Sequence, residues 1–330
     1  MALIDTFQRK IDYLRISITD HCNLNCTYCS PPFSVRTHLQ RREILNYEEI
    51  AVLAEAAVAA GITRIRLTGG EPLIRNGVVD LCRMLTEING LESLSLTTNG
   101  VRLGSLAEPL LRAGVHRINV SLDSLKPNRF AQITGQDRLS EVLAGIEAAD
   151  AAGLAPIKIN TVVMRGVNDD EVADLATLTF NKPYHVRFIE LMPFQHVNCS
   201  DYDQLHQPVG EIIRKIPGID RARVIPILDN PGPAKLCALP CAKGKIGFIA
   251  PMSWHFCGSC NRLRLTADGK NRSCLFSNDE MDIKTLLRHG ASKKELIEFF
   301  TLAVKHKPRR HQLKENRHGK TVRGMYAIGG

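Results

Sequence analysis

Six of the ten cysteines in this 330-residue chain fall into two groups of three. The first is Cys22-x3-Cys26-x2-Cys29 and the second is Cys257-x2-Cys260-x13-Cys274. An iron–sulfur cube normally takes four cysteine thiolates. Three thiolates leave one iron open, and an open iron can bind a small molecule in place of protein. Two such sets suggest an enzyme with one centre that generates a reactive species and another that holds its target. Zinc is the alternative at either set, with a fourth ligand such as His21 or His255. The remaining cysteines, Cys82, Cys199, Cys237 and Cys241, read as structural. Cys82 falls on the apolar face of a helix pattern, and Cys237-x3-Cys241 lacks a third partner close by.

Disulfides need an oxidising compartment. The residues Met1 to Asp5 carry no basic n-region and no long apolar stretch, and no window approaches a membrane span. The expectation is a cytoplasmic protein in which close cysteines are metal ligands or redox groups. Hydrophobic residues at 44% and charged residues at 23% fit an ordinary globular enzyme, long enough for one large domain and a smaller one. A net charge of +9 and a pI near 9.1 suit a polyanionic ligand, a nucleoside triphosphate or a nucleic acid. Aromatics at only 5%, not interleaved with arginine, weaken the case for single-stranded nucleic acid.

The elements that must position these residues alternate. Short apolar strands are expected at 13–19, 64–67, 91–97, 116–122, 157–164 and 185–191, separated by helical patterns at 48–60, 78–88, 106–113, 138–152 and 170–180. Strands this apolar cannot face water on one side, which implies a parallel sheet. Right-handed crossovers curl such a sheet toward a barrel or part of one. Chemistry then belongs at the C-terminal strand ends. The first cysteine loop, Gly69-Gly70-Glu71, Thr97-Thr98-Asn99, Ser121-Leu122-Asp123 and Glu190-Leu191-Met192 all follow strands. After about residue 195 prolines cut the chain into short pieces. Strands are expected at 224–228, 245–249 and 263–266, a turn at Asp268-Gly269, and helices at 282–289 and 293–306. The basic run from Lys305 to Lys320 is expected to be exposed.

Cys22-Asn23-Leu24-Asn25-Cys26-Thr27-Tyr28-Cys29 resembles the signature of the radical S-adenosylmethionine (SAM) superfamily. Gly69-Gly70-Glu71-Pro72 resembles that superfamily's loop for the methionine amino group. With the second cysteine set, Asn261-Arg262-Leu263-Arg264 behind Cys260, and the Gly329-Gly330 terminus, the chain from about Arg15 to Gly330 resembles the GTP 3′,8-cyclases of molybdenum-cofactor biosynthesis, the MoaA family. The resemblance implies a partial (β/α)6 TIM-like barrel over 1–222 and a smaller α+β domain over 223–330, each with a [4Fe–4S] cluster. It places SAM at Tyr28, Gly70, Ser121 and Met192, and GTP at Arg15, Arg66, Thr97, Lys158 and Arg262, Leu263 and Arg264. Ser30 departs from the larger apolar residue that many relatives carry there.

The resemblance implies that an adenosyl radical takes hydrogen from C3′ of the GTP ribose. The carbon radical attacks guanine C8, and an electron and a proton complete (8S)-3′,8-cyclo-7,8-dihydro-GTP. It also implies a low-potential electron donor and a downstream cyclic pyranopterin monophosphate synthase, leaves a homodimer open, and involves neither membrane nor nucleic acid. Gly329 and Gly330 would reach into the site, where side-chain-free residues fit narrow gaps. From the residues themselves, Arg262 and Arg264 share a strand face and suit phosphate oxygens. Arg15, Arg66 and Lys158 lie on strands, where an inward charge is costly unless paired. A bound triphosphate would pair them, and so would Glu71 or Glu190. Two other classes remain: a peptide-modifying radical enzyme with auxiliary clusters, and a zinc-dependent nucleic-acid binder.

Overall fold

The structure is a computed structural model that describes residues 2–31, 34, 36–194, 199–226, 232–311 and 323–329, with backbone only at 199 and 200. Six parallel strands form the centre: β1 (Tyr13–Ser17), β2 (Arg64–Thr68), β3 (Ser93–Thr98), β4 (Arg117–Ser121), β5 (Lys158–Val163) and β6 (His185–Glu190). They pair in chain order, each with the next. Helices at Tyr47–Ala60, Val78–Thr86, Leu103–Arg112, Leu139–Ala152 and Val172–Asn181 fill the connections, as the alternation predicts. The first of these helices starts at a capping box between Asn46 and Glu49 and ends at Gly61. Within these connections one helix, Pro127–Thr134, was not expected. It is a single short amphipathic segment whose Lys126-Pro127 start reads as a turn.

The sheet does not stop at six strands. The later chain adds β7 (Arg223–Ile225), β8 (Lys235–Ala238), β9 (Lys245–Ile249), β10 (Arg262–Leu265), β11 (Lys270–Arg272) and β12 (Met281–Asp282). β10 pairs in parallel with β1, and β9 pairs in parallel with β6. The order is β12-β11-β10-β1-β2-β3-β4-β5-β6-β9-β8-β7, so the later chain covers both edges of the central strands. Both edges otherwise present a row of unpaired backbone groups. The chain thus has the expected α/β architecture, a TIM-like partial barrel with added C-terminal elements, in which eight consecutive strands run parallel.

Alternation along each strand sorts the residues. Leu14, Ile16, Ile65, Leu67, Leu96 and Ile118 are fully buried and belong to the core between sheet and helices. Each contributes about 1.5–3 kcal/mol by leaving water. Except for Ser17, the alternate positions on the same strands face a cavity of about 600 Å³, and they are polar or charged. No helix among the described residues is long and apolar enough to cross a membrane.

Candidate active site

All six clustered cysteines line this one cavity. Strand direction decides where they stand. Cys22, Cys26 and Cys29 follow the C-terminal end of β1. Cys257 and Cys260 precede the N-terminal end of β10, which runs parallel to β1 with Tyr13 opposite Arg262. Cys274 follows β11, which returns antiparallel to β10. The two triads therefore occupy opposite ends of the barrel. Tyr13 to Ser17 spans four strand steps, roughly 13 Å at about 3.3 Å each.

Among the described residues, the only three His, Cys, Asp or Glu side chains with ligand atoms all within 4.8 Å of one another are Asp20, His21 and His38. Both cysteine triads are more open than that. Ligands of a single tetrahedral zinc, with sulfur at about 2.3 Å, stand roughly 3.8 Å apart. The triads thus fit a cluster with several metal atoms better than one ion. Neither histidine considered as a fourth zinc ligand supports that alternative. The His21 ligand atom gathers with those of Asp20 and His38 and not with the cysteines, and His255 Nδ1 meets His311 Nε2 at 3.1 Å.

The two ends differ in charge. Burial, then Glu71, pushes the Cys22 thiol up to about 11. Burial, then Cys22, pushes Cys29 up to about 12, and burial with Asp123 holds Cys26 well above the usual thiol range. At the other end burial acts on Cys260 in the same sense, but Lys307 and Arg262 outweigh it and bring this thiol down to about 7. Lys307 lies inside the run expected to be exposed, yet it is 3% exposed. Its Nζ donates to the carbonyls of Arg262 at 2.7 Å and Ser273 at 2.6 Å. Residues 312–320 of that run lie outside the described residues. Arg9 fastens the second loop from the N-terminal side, donating to the Cys257 carbonyl at 2.7 Å while paired to Asp5 at 2.6 Å.

Around the first triad, Tyr28 donates its hydroxyl to Asp123 Oδ2 at 2.7 Å. Burial raises the Asp123 carboxyl to about 6. Asn99 donates to Asn23 Oδ1 at 2.8 Å and approaches Cys22 Sγ at 3.8 Å. The two glycines lie close to protein backbone. A Cβ on Gly70 would sit 2.2 Å from the His21 carbonyl oxygen, and one on Gly69 would sit 2.5 Å from that of Thr19. Gly70 N and Glu71 N donate to those same carbonyls at 2.7 Å each. The Gly-Gly loop is thus welded to the segment leading into Cys22. Ser121 and Met192 also line the cavity.

Between the two ends lies a band of positive charge. Arg264, Arg15 and Arg66 stand opposite one another in register on β10, β1 and β2. The row continues to Ser95 and then Arg117. Arg262, Thr97 and Lys158 line the same cavity. The carboxylates expected as alternative partners are engaged elsewhere. Glu71 accepts from Thr98 Oγ1 at 2.7 Å, Asn99 N at 2.6 Å and Leu73 N at 2.9 Å. Glu190 accepts from Val209 N at 2.8 Å and from Met252 N and Ser253 N at 3.0 Å. Arg66 turns instead to the hydroxyls of Ser95 at 3.1 Å and Thr97 at 3.4 Å. Burial, then Arg187, lowers Lys158 to about 7. Burial, then Arg262, lowers Arg264 to about 10.

Leu263 differs from its neighbours. It is fully buried in the apolar core, because alternation turns it away from the face that Arg262 and Arg264 share. Gly329 packs against Ser17 and Thr68, and its carbonyl accepts from Arg264 Nη1 at 2.6 Å. Gly330 lies outside the described residues. Of the cysteines read as structural, Cys82 and Cys237 are buried and Cys241 is exposed. The Cys199 side chain is outside the description.

The comparisons with known proteins agree with this geometry. Residues 16–179 match the family model of the radical SAM superfamily, and residues 184–313 match that of Molybdenum Cofactor Synthesis C. A GTP 3′,8-cyclase of Moorella thermoacetica is 50% identical over 326 residues, covering 99% of both chains. One of Heliobacterium modesticaldum is 46% identical over 331 residues, covering 99% of this chain and 100% of that one. The chain belongs to the GTP 3′,8-cyclase family. Among solved structures, Streptococcus suis SuiB bound to S-adenosylmethionine superposes with a TM-score of 0.62 at 13% identity, over 88% of this chain and 68% of that one. At that identity the likeness shows the fold alone.

Several cavity residues escaped the sequence reading, chief among them Arg187, His185 and Arg117. Arg187 lies on β6, opposite Asn160. Alternation within His185-Val186-Arg187-Phe188 marks it as inward-facing, the same signal that marks Lys158 on β5.

Proposed function

We propose that this chain is a radical SAM GTP 3′,8-cyclase, the enzyme that converts GTP to (8S)-3′,8-cyclo-7,8-dihydro-GTP in the first step of molybdenum-cofactor biosynthesis. The observation that carries this reading is a single cavity with a cysteine triad at each end and a register row of arginines between them. That arrangement suits a substrate with a polyanionic tail, held between two metal centres.

In this reading residues 1–222 supply the radical SAM barrel, and residues 223–330 supply the second metal centre and the tail. Cys22, Cys26 and Cys29 would hold the [4Fe–4S] cluster at which SAM binds. Cys257, Cys260 and Cys274 would hold a second cluster, at the end of the cavity that would take the base of GTP. When bound, the first cluster and SAM supply the carbon-centred oxidant that takes hydrogen from ribose C3′. The chain's residues do the rest by placement. Arg15, Arg66, Lys158, Arg262 and Arg264 take the phosphates, and Thr97 adds a hydroxyl. Tyr28, Gly70, Ser121 and Met192 border the SAM end, where Tyr28 is held by Asp123. Gly329 is held beside Arg264 through its carbonyl, against Ser17 and Thr68. Leu263 supports this face from the core side. A low-potential donor and the downstream synthase complete the reading.

The product is an isomer of GTP, since the hydrogen lost from C3′ is replaced by an electron and a proton at the purine. Anaerobic incubation of the iron-loaded chain with reductant, SAM and GTP tests the reading. Chromatography and NMR should show the cyclised isomer with one 5′-deoxyadenosine per turnover. Formation of 5′-deoxyadenosine with GTP recovered unchanged would reject it.

A further inference from the structure

The Asp20, His21 and His38 group lies outside the cavity, and none of the three lines it. Asp20 is 2% exposed, and its Oδ2 accepts from Leu39 N at 2.8 Å. Its other oxygen, Oδ1, is buried with no hydrogen-bond partner. The nearest cationic candidate, His21 Nε2, stands 3.8 Å away, too far for a hydrogen bond. A buried carboxylate oxygen without a partner costs about 1–3 kcal/mol. His38 Nδ1 lies 3.4 Å from Oδ2, and the two imidazoles stack at 4.0 Å with an 11° tilt. Both rings are open to solvent on their outer side.

We propose that Asp20, His21 and His38 bind an exchangeable divalent transition-metal ion, as a site separate from both cysteine triads. Two imidazoles and one carboxylate suit ions of the zinc, iron, nickel and copper class rather than magnesium or calcium. The ligand atoms already gather within 4.8 Å, so modest side-chain rotations bring all three to bonding distance of one ion. The ion would satisfy Oδ1 and turn two stacked rings into ligands.

Its place in the chain gives it a purpose. Asp20 and His21 enter the first cysteine loop, and His38 leaves it. Backbone contacts already anchor this entrance, with the His21 carbonyl accepting from Glu71 N at 2.7 Å. A metal ion at this point ties together the two ends of the loop that carries Cys22, Cys26 and Cys29.

The test uses the full chain with both cysteine triads loaded with iron and sulfide, and zinc ion as the probe. After anaerobic zinc addition and gel filtration, the native chain should retain one more zinc than H38A or H38Q, at equal iron content. H289A, which alters an exposed histidine elsewhere, should retain as much zinc as the native chain. X-ray absorption at the zinc edge should show nitrogen and oxygen neighbours with imidazole scattering and no sulfur. Zinc should also raise the thermal midpoint of the native chain and not that of H38A. Equal zinc retention by the native chain and both His38 variants would overturn the proposal, as would sulfur in the zinc shell.

Discussion

Arg15 and Arg264 stand directly opposite each other on adjacent parallel strands, and the next strand adds Arg66 to the same row. Like charges placed across a strand pair destabilise a sheet. Burial, then Arg264, holds the Arg15 guanidinium well below its ordinary range. An anion bound across the row removes this conflict. In the proposed function this row takes the triphosphate, at the expense of stability in the ligand-free chain.

Replacing Arg15 by methionine separates those two effects. A charge-assisted hydrogen bond contributes about 1.5–3 kcal/mol, so GTP affinity should fall roughly ten- to a hundredfold. The thermal midpoint of the ligand-free chain should hold or rise, because one like charge has gone. Calorimetry with GTP and a melting curve without it measure both. Unchanged GTP affinity would remove Arg15 from the phosphate site.

Lys158 gives the ligand-free protein a pH signature. Its folded value, about 7, lies below the ordinary lysine value of 10.5. Between these limits the unfolded chain binds more protons than the folded one, so stability rises with pH across that window. The penalty is present in full below about pH 7. K158M should flatten the rise in melting temperature between pH 7 and 10. GTP binding near pH 8 should take up a proton at Lys158, seen as a buffer-dependent binding enthalpy that K158M abolishes.

Gly70 links the SAM end to the first cysteine loop. A Cβ there would meet the His21 carbonyl oxygen at 2.2 Å. Overpacking of this kind typically costs about 1–3 kcal/mol, and here the strain falls on the segment that enters Cys22. G70A should lose the first cluster and keep the second, halving the iron content. Full iron loading with normal SAM cleavage would show that the loop can yield.

The two triads should separate by substitution. C22S should abolish SAM cleavage. C257S should keep reductive SAM cleavage but lose most GTP conversion. Quantifying 5′-deoxyadenosine and cyclised product in each variant decides the matter, and normal GTP turnover in C257S would remove the substrate role of the second centre.

The tail offers a further separation. Arg323 pairs with Asp268 at 2.8 Å and Glu280 at 2.9 Å, which anchors the described end of the chain near Arg264. Removing Gly329 and Gly330 should abolish cyclisation while leaving both clusters and SAM binding intact. Unchanged turnover would leave the tail without a catalytic part.

The sequence by itself determined the two cysteine triads, the parallel strand–helix alternation and most of the inward-facing cations. These are local facts: thiol spacing within one loop, and the period-two alternation of a strand, which also separates Leu263 from Arg262 and Arg264. Tertiary structure decided what depends on pairing between distant segments. Only the parallel register of β1 and β10 puts the triads at opposite ends of one cavity. Only packing buries Lys307 beside Cys260 within a run whose composition suggests solvent. The need for glycine at position 70 likewise comes from a carbonyl almost fifty residues earlier, a contact that no local pattern encodes.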